Sequence, residues 1–227
     1  FLLVPIIAPA AGKLVLDYAN WQGIFYMQLF CSGLVAVWFW RRQKETLSPE
    51  NKRPLALRDY KHGLMEVLGQ PVTMGYTMIS GLVFGAFMVY LSGSQQIFHE
   101  HYDLKEEFPM IFALLSIAIG IAIFINGHLV MRFGMKRIVS IALYGFFGVS
   151  LISFVLYYQS PNPTIEWLLF FFSLQFFAIG FLFGNLRALA MQPMGHIAGM
   201  AAAITGFIST LMALPLSTFI GHYISAY

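Results

Sequence analysis

Long apolar runs alternate with short polar gaps along the whole chain. The clearest run is Phe108–Arg137, FPMIFALLSIAIGIAIFINGHLVMRFGMKR. It holds about twenty uncharged residues, the number that a helix rising about 1.5 Å per residue needs to cross a hydrocarbon core of about 30 Å. It then stops at Arg132, Lys136 and Arg137. Read the same way, the sequence divides into seven apolar segments: Phe1–Leu16, Trp21–Trp40, Pro71–Phe98, Phe108–Met131, Ile138–Tyr158, Ile165–Met191 and Ile197–Tyr223. A lone span in lipid must be helical, because no water is present to satisfy its backbone groups. The pattern predicts an all-α integral membrane protein, a polytopic helical bundle of seven transmembrane segments with the first truncated. The chain begins with Phe inside an apolar run, and no basic region precedes Ala8-Pro9-Ala10. That start predicts a piece of a longer protein and not a secretory leader.

The cations predict orientation. Loop Arg41–Gln70 holds seven Lys and Arg, the gap after the fourth segment three, and the corner after the sixth Arg187; the opposite side has only Lys13 and Lys105. Lysine and arginine concentrate on the cytoplasmic side of membrane proteins, which puts loop 41–70 there. At about thirty residues, polar and carrying Pro49 and Pro54, that loop is also the natural boundary. It separates 1–40, two helices, from 71–227, five helices. Within it Arg58–Leu68 reads either as a short interfacial helix or as a solvated linker.

Composition agrees. The chain is 59% hydrophobic and 10% charged, against about 25% charged in a soluble domain. The net charge of +3 does not imply nucleic acid, since the cations fall between apolar runs and not on one basic face. Cys31 stands alone in the sequence; an internal disulfide is excluded, and a packed thiol is expected. His99 and His101 are two residues apart, a spacing that does not share a helix face, so no metal site is expected. No embedded Ser/His/Asp set, phosphate loop or HExxH appears; neither an enzyme nor a cofactor is indicated.

Several positions invite a functional reading beside a structural one. The gap Gly127–Arg137 combines Gly127 and Gly134, which permit a tight turn, with Arg132, Lys136 and Arg137. The cations anchor a helix end, or they form a gating latch. Asn185 and Arg187 lie at the next corner, after Gly180 and Gly184, and Ala198, Ala202 and Gly206 recur every fourth residue. Such small faces pack closely or slide. Pro5, Pro9 and Gly12 predict a kinked first helix. Gln175 is polar at membrane depth and must find partners, either as interhelical glue or in a cavity. Tyr90, Ser92 and Ser94 lie toward the outer end of the third segment and Asn126 near the inner end of the fourth. Phe87, Tyr90, Gln175 and Ser209 are the candidate cavity lining. No Asp or Glu falls in the middle of any segment. A proton-coupled carrier needs an ionisable group in its core, so that group is expected upstream, or coupling is absent.

Together these motifs resemble the major facilitator superfamily, and within it the Bcr/CflA branch of drug:proton antiporters. Ala8-Pro9-Ala10-Ala11-Gly12 with Trp21 and Ile24-Phe25 is similar to the antiporter motif of the fifth helix and the start of the sixth. Tyr90-Leu91-Ser92-Gly93-Ser94 resembles the seventh helix, with Gln95 where proline is usual. Gly127, Arg132, Gly134 and Arg137 match the repeated loop motif, with Met131 in place of its aspartate. Asn185, Ala188-Leu189-Ala190, Pro193 and Ala198-Gly199 resemble the corner between the tenth and eleventh helices. The resemblance maps the chain onto helices five to eleven of twelve. It implies two six-helix halves that alternate access to a central cavity, with Pro9, Gly12, Gly127, Arg132, Gly134, Arg137, Asn185 and Arg187 in conformational motifs. It also implies export of a small hydrophobic drug driven by protons, by a monomer in the lipid of a bacterial inner membrane. The alternatives are a carrier for a sugar, nucleoside or organic acid, and a non-transporting membrane subunit that only binds partners.

Overall fold

The computed structural model describes residues 11–12, 14–44, 57–159 and 163–224. The elements among them are helices: α1 Trp21–Arg42, α2 Leu57–Gly69, α3 Pro71–Gln96, α4 Phe108–Phe133, α5 Met135–Gln159, α6 Ile165–Met191 and α7 Ala198–Ile224. A π-helical turn, Ile97–His101, continues α3, and a 3-10 segment, Gln192–Ile197, joins α6 to α7. α1, α3, α4 and α5 are each long and apolar enough to cross a membrane, as is the stretch formed by α6 and α7. The protein is an all-α polytopic membrane bundle.

Pairing registers fix how these helices run. Ser209 Oγ on α7 donates to the Thr77 carbonyl on α3 at 3.3 Å, and Met212 and Leu216 lie against Gly81 and Gly85. Residue numbers rise together, so α3 and α7 are parallel. Thr73 Oγ1 donates to the Ala190 carbonyl at 2.9 Å, and Phe87 packs on Phe176, which makes α3 and α6 antiparallel. Gly180 sits by Ile119 and Ala122 and Asn185 by Asn126, so α4 and α6 are parallel. Gln175 meets Ser150 and Tyr157 meets Phe171, so α5 opposes α6. The chain therefore reverses at each connection from α3 to α7. One end of the bundle carries α2, the Gly134 turn and the Gln192–Ile197 corner; the other carries residues 97–107 and Pro163.

Helix α6 is the hub of this bundle. Its buried side includes Leu168, Phe176, Ile179, Leu182, Leu186 and Leu189, and it packs on α3, α4 and α5. Close approach is made possible by missing side chains. A Cβ on Gly180 would lie 2.6 Å from Ala122 Cβ and 2.8 Å from the Ile119 carbonyl oxygen, so glycine is required there. Between lipid-soluble helices such van der Waals contact supplies the association that water supplies elsewhere. Some buried hydroxyls are satisfied within their own helix, as where Thr77 Oγ1 donates to the Thr73 carbonyl and Thr205 Oγ1 to that of Ala201. That answers the demand for internal partners in lipid.

The structure departs from the sequence reading at several points. The gap expected between Met131 and Ile138 shrinks to Gly134 alone, at φ 81°. Arg132 and Lys136 continue the helices, because an internal hydrogen bond at the membrane edge outweighs exposure, and a glycine with positive φ then breaks the chain. Gly127 is inside α4 and takes no part in the turn. The outer loop expected from His99 starts after the π-turn, at Tyr102. Residues 57–69 form a helix, the first of the two readings offered for that stretch. The buried stripe of α7 is Ala201, Thr205 and Ala213, not Ala198, Ala202 and Gly206; Gly206 faces open space. Cys31 is exposed on α1, which has no buried residue, so the thiol is not packed among the described residues. Pro5, Pro9 and Lys13 lie outside the described residues, and Gly12 has nothing packed against it.

Candidate functional site

Tyr90 is the centre of an aromatic cluster where α3, α4 and α6 meet. Its ring centroid lies 4.7 Å from that of Phe176, 5.3 Å from Phe172 and 6.0 Å from Phe112. Phe87, one turn earlier, lies 5.7 Å from Phe176 and 5.6 Å from Phe183. The edge-on geometry of most of these pairs is the favoured one, with roughly 0.5–1.5 kcal/mol per pair beyond area burial. Tyr90 is 7% exposed, yet its hydroxyl has no hydrogen-bond partner among the described residues. A buried phenol normally finds one. This is an apolar, shape-defining cluster with a single free polar handle.

The other candidate cavity residues stand apart from it. Gln175 Nε2 donates to Ser150 Oγ at 3.2 Å, tying α6 to α5. Ser209 is in the α3–α7 seam through its bond to the Thr77 carbonyl. Phe87 and Tyr90 are thus brought together, while Gln175 and Ser209 are committed to two different interfaces.

The residues of the conformational motifs divide in the same way. Asn185, 4% exposed, forms a reciprocal amide pair with Asn126. Its Nδ2 donates to Asn126 Oδ1 at 2.7 Å, and Asn126 Nδ2 donates to Asn185 Oδ1 at 3.3 Å. Asn185 Nδ2 also donates to the Phe181 carbonyl at 2.8 Å. At the turn, the Arg132 and Arg137 guanidinium groups lie 5.2 and 5.8 Å from the Phe133 ring centroid, within cation–π range. Arg187 is exposed.

Two contacts were missed from sequence. Both amides of the Asn126–Asn185 pair were visible as polar residues, but not as partners. The available signal was depth: Asn126 lies eight residues ahead of Gly134 and Asn185 seven ahead of Gln192, each on the order of 10 Å below that end. The second contact is the docking of α2. Val67 is 0% exposed against Met194 and Ala201, Gly63 abuts Met200, and His196 Nε2 pairs with Glu66 Oε1 at 2.6 Å. At the opposite end Tyr102 Oη donates to the Pro163 carbonyl at 2.7 Å, and burial pushes this hydroxyl above the usual phenol range. Among the described residues no group of three His, Cys, Asp or Glu could hold a metal.

The helical bundle agrees with what comparison shows. The family profile "Major Facilitator Superfamily" matches residues 1–216. The chain belongs to the Major Facilitator Superfamily. Its members are transporters, not enzymes. The chain is 26% identical to the uncharacterized MFS-type transporter YdgK of Bacillus subtilis (strain 168), over 96% of this chain and 55% of the relative. It is 22% identical to a bicyclomycin resistance protein homolog of Haemophilus influenzae, over 92% of this chain and 52% of the relative. The chain spans about half the length of the curated relatives it matches. No solved structure matches it.

Proposed function

We propose that this chain is part of a proton-coupled exporter of drug-like compounds that works by alternating access in a bacterial inner membrane. On this reading loop 41–70 is cytoplasmic and connects the last two helices of one half, residues 1–40, to most of the second half, residues 71–227. The observation that carries the reading is the aromatic cluster around Tyr90. Rings without a carboxylate favour a hydrophobic substrate, and one free hydroxyl gives orientation without narrow selectivity. The similarity to a bicyclomycin resistance protein homolog supports the same class. In this proposal Phe87 and Tyr90 line the substrate site, with Gln175 and Ser209 holding its helices in place. Arg132, Gly134, Arg137, Asn185 and Arg187 belong to the end that opens and closes, as does Gly127 within α4. The titrating acid lies outside the apolar segments of this chain, and the transporter acts as a monomer.

The test uses the protein as its gene encodes it, in a drug-hypersusceptible bacterial host. Expression raises resistance to at least one hydrophobic compound, and dissipating the proton gradient abolishes export. Tyr90→Phe keeps the ring and removes the hydroxyl. It leaves abundance unchanged and shifts resistance to individual compounds by about 3–10-fold, the worth of one hydrogen bond. Unchanged resistance to a broad panel on expression overturns the exporter reading; uptake of a sugar or organic acid instead assigns a metabolite carrier.

A further inference from the structure

The turn between α4 and α5 and the end of α6 border an open cleft of about 610 Å³, edged by Phe133, Lys136, Arg137, Leu189, Met191 and Gln192. Its size falls in the range of roughly 300–1,000 Å³ typical of small-molecule sites. Three cations, Arg132, Lys136 and Arg137, crowd this short segment, and none pairs with a carboxylate among the described residues. Their own electrostatics make the lack of a countercharge costly. Lys136 and Arg137 sit in the first turn of α5, which carries no acidic residue, so they face the positive end of that helix dipole. Arg132 and Arg137 share the single Phe133 ring, which holds two like charges near one point. The opposite wall is apolar: Leu189 is buried and Met191 half-buried. Phe133, Met135 and Ala188 extend that apolar lining to the cationic side of the cleft.

We infer that this cleft binds the phosphate headgroup of an anionic phospholipid, with Lys136 and Arg137 on the phosphate and the start of the acyl chains against the cleft's apolar lining. A phosphate carried by a lipid and a free phosphate share the chemistry that the cations recognise. The apolar lining beside the cations favours the lipid, because basic pockets at membrane-protein ends take anionic headgroups. The inference is independent of what the protein exports: its readout is binding, and it survives if no drug is transported.

The protein as its gene encodes it, purified in detergent, is titrated with phosphatidylglycerol and, separately, phosphatidylcholine, and bound lipid is counted by native mass spectrometry. The expected result is one saturable phosphatidylglycerol site, preferred at least roughly tenfold over phosphatidylcholine. Lys136→Gln with Arg137→Gln removes that preference. Arg58→Gln with Lys61→Gln, on exposed positions of α2, deletes the same charge and leaves it intact. Met131→Asp, at an exposed position that tolerates substitution, supplies the missing carboxylate and weakens phosphatidylglycerol binding, which covers the case in which the double variant fails to fold. Equal binding of the two lipids overturns the inference. So does equal loss in the α2 double variant, or thermal stabilisation by glycerol phosphate alone to the same extent as by the lipid.

Discussion

At the residue scale, two polar groups in an apolar interior meet opposite fates. The Asn126 and Asn185 amides satisfy each other across α4 and α6, whereas the Tyr90 hydroxyl stays unpaired inside rings. Interhelical hydrogen bonds in membranes average about 0.6 kcal/mol, up to about 1.7 kcal/mol. A double-mutant cycle of Asn126→Leu and Asn185→Leu, read by thermal melting in detergent, is expected to give a coupling energy in that range. Each single variant costs more than its half, because it leaves one buried amide unpaired. Gly134, at φ 81° and ψ 147°, is expected to lose about 1–3 kcal/mol of stability on replacement by valine, the cost of placing a side chain in a backbone region populated essentially by glycine. Gly127 is in open space, and Gly127→Ala is expected to leave the melting temperature unchanged or slightly raised. The polarity of all these positions was legible in the sequence. Their pairing was not, because partners 59 residues apart are set by helix register and not by spacing.

At the element scale, α6 holds the bundle and α2 clasps its end. Gly180→Leu would drive a side chain into the Ile119 carbonyl, 2.8 Å from the position of a Cβ. It is expected to abolish folded protein in size-exclusion chromatography, whereas Gly184→Leu, with nothing within 4 Å, leaves it present. The docking of α2 rests on Val67 and the Glu66–His196 pair. Val67→Asp buries an uncompensated charge and is expected to release the helix, read as faster tryptic cleavage at Arg58 and Lys61 with the remaining bundle intact. Helix limits for α3, α4 and α6 follow from apolar run length and from Pro71 and Pro109 at their starts. The one-residue turn at Gly134 and the buried stripe of α7 do not. The stripe depends on which face a neighbour covers, and a helix apolar all round carries no sequence signal for that; the turn depends on which glycine takes positive φ.

At the scale of the whole molecule, alternation governs. Each connection from α3 to α7 reverses the chain, and the cations Arg58, Lys61, Arg132, Lys136 and Arg137 gather at one end of the bundle with Lys105 at the other. With Cys31 first replaced by serine, single cysteines at Lys44 and Lys105 are expected to react from opposite faces of the membrane in intact cells. Reaction from one face would remove the proposed orientation. α1 has no buried residue among its 22, and its exposed Trp21, Phe25, Phe30 and Trp38 give it a largely apolar surface suited to lipid.

By itself the sequence determined the membrane as solvent, the helical class, the segment lengths and the family motifs, because each depends on local composition and on a fixed rise per residue. Only the tertiary structure decided which polar groups pair, which glycines are contact points, that Tyr90 keeps a free hydroxyl among rings, and that the Gly134 turn borders a cleft with the end of α6. Those facts depend on rotation of one helix about its axis relative to the next. A chain apolar on every side leaves that rotation to be settled by packing.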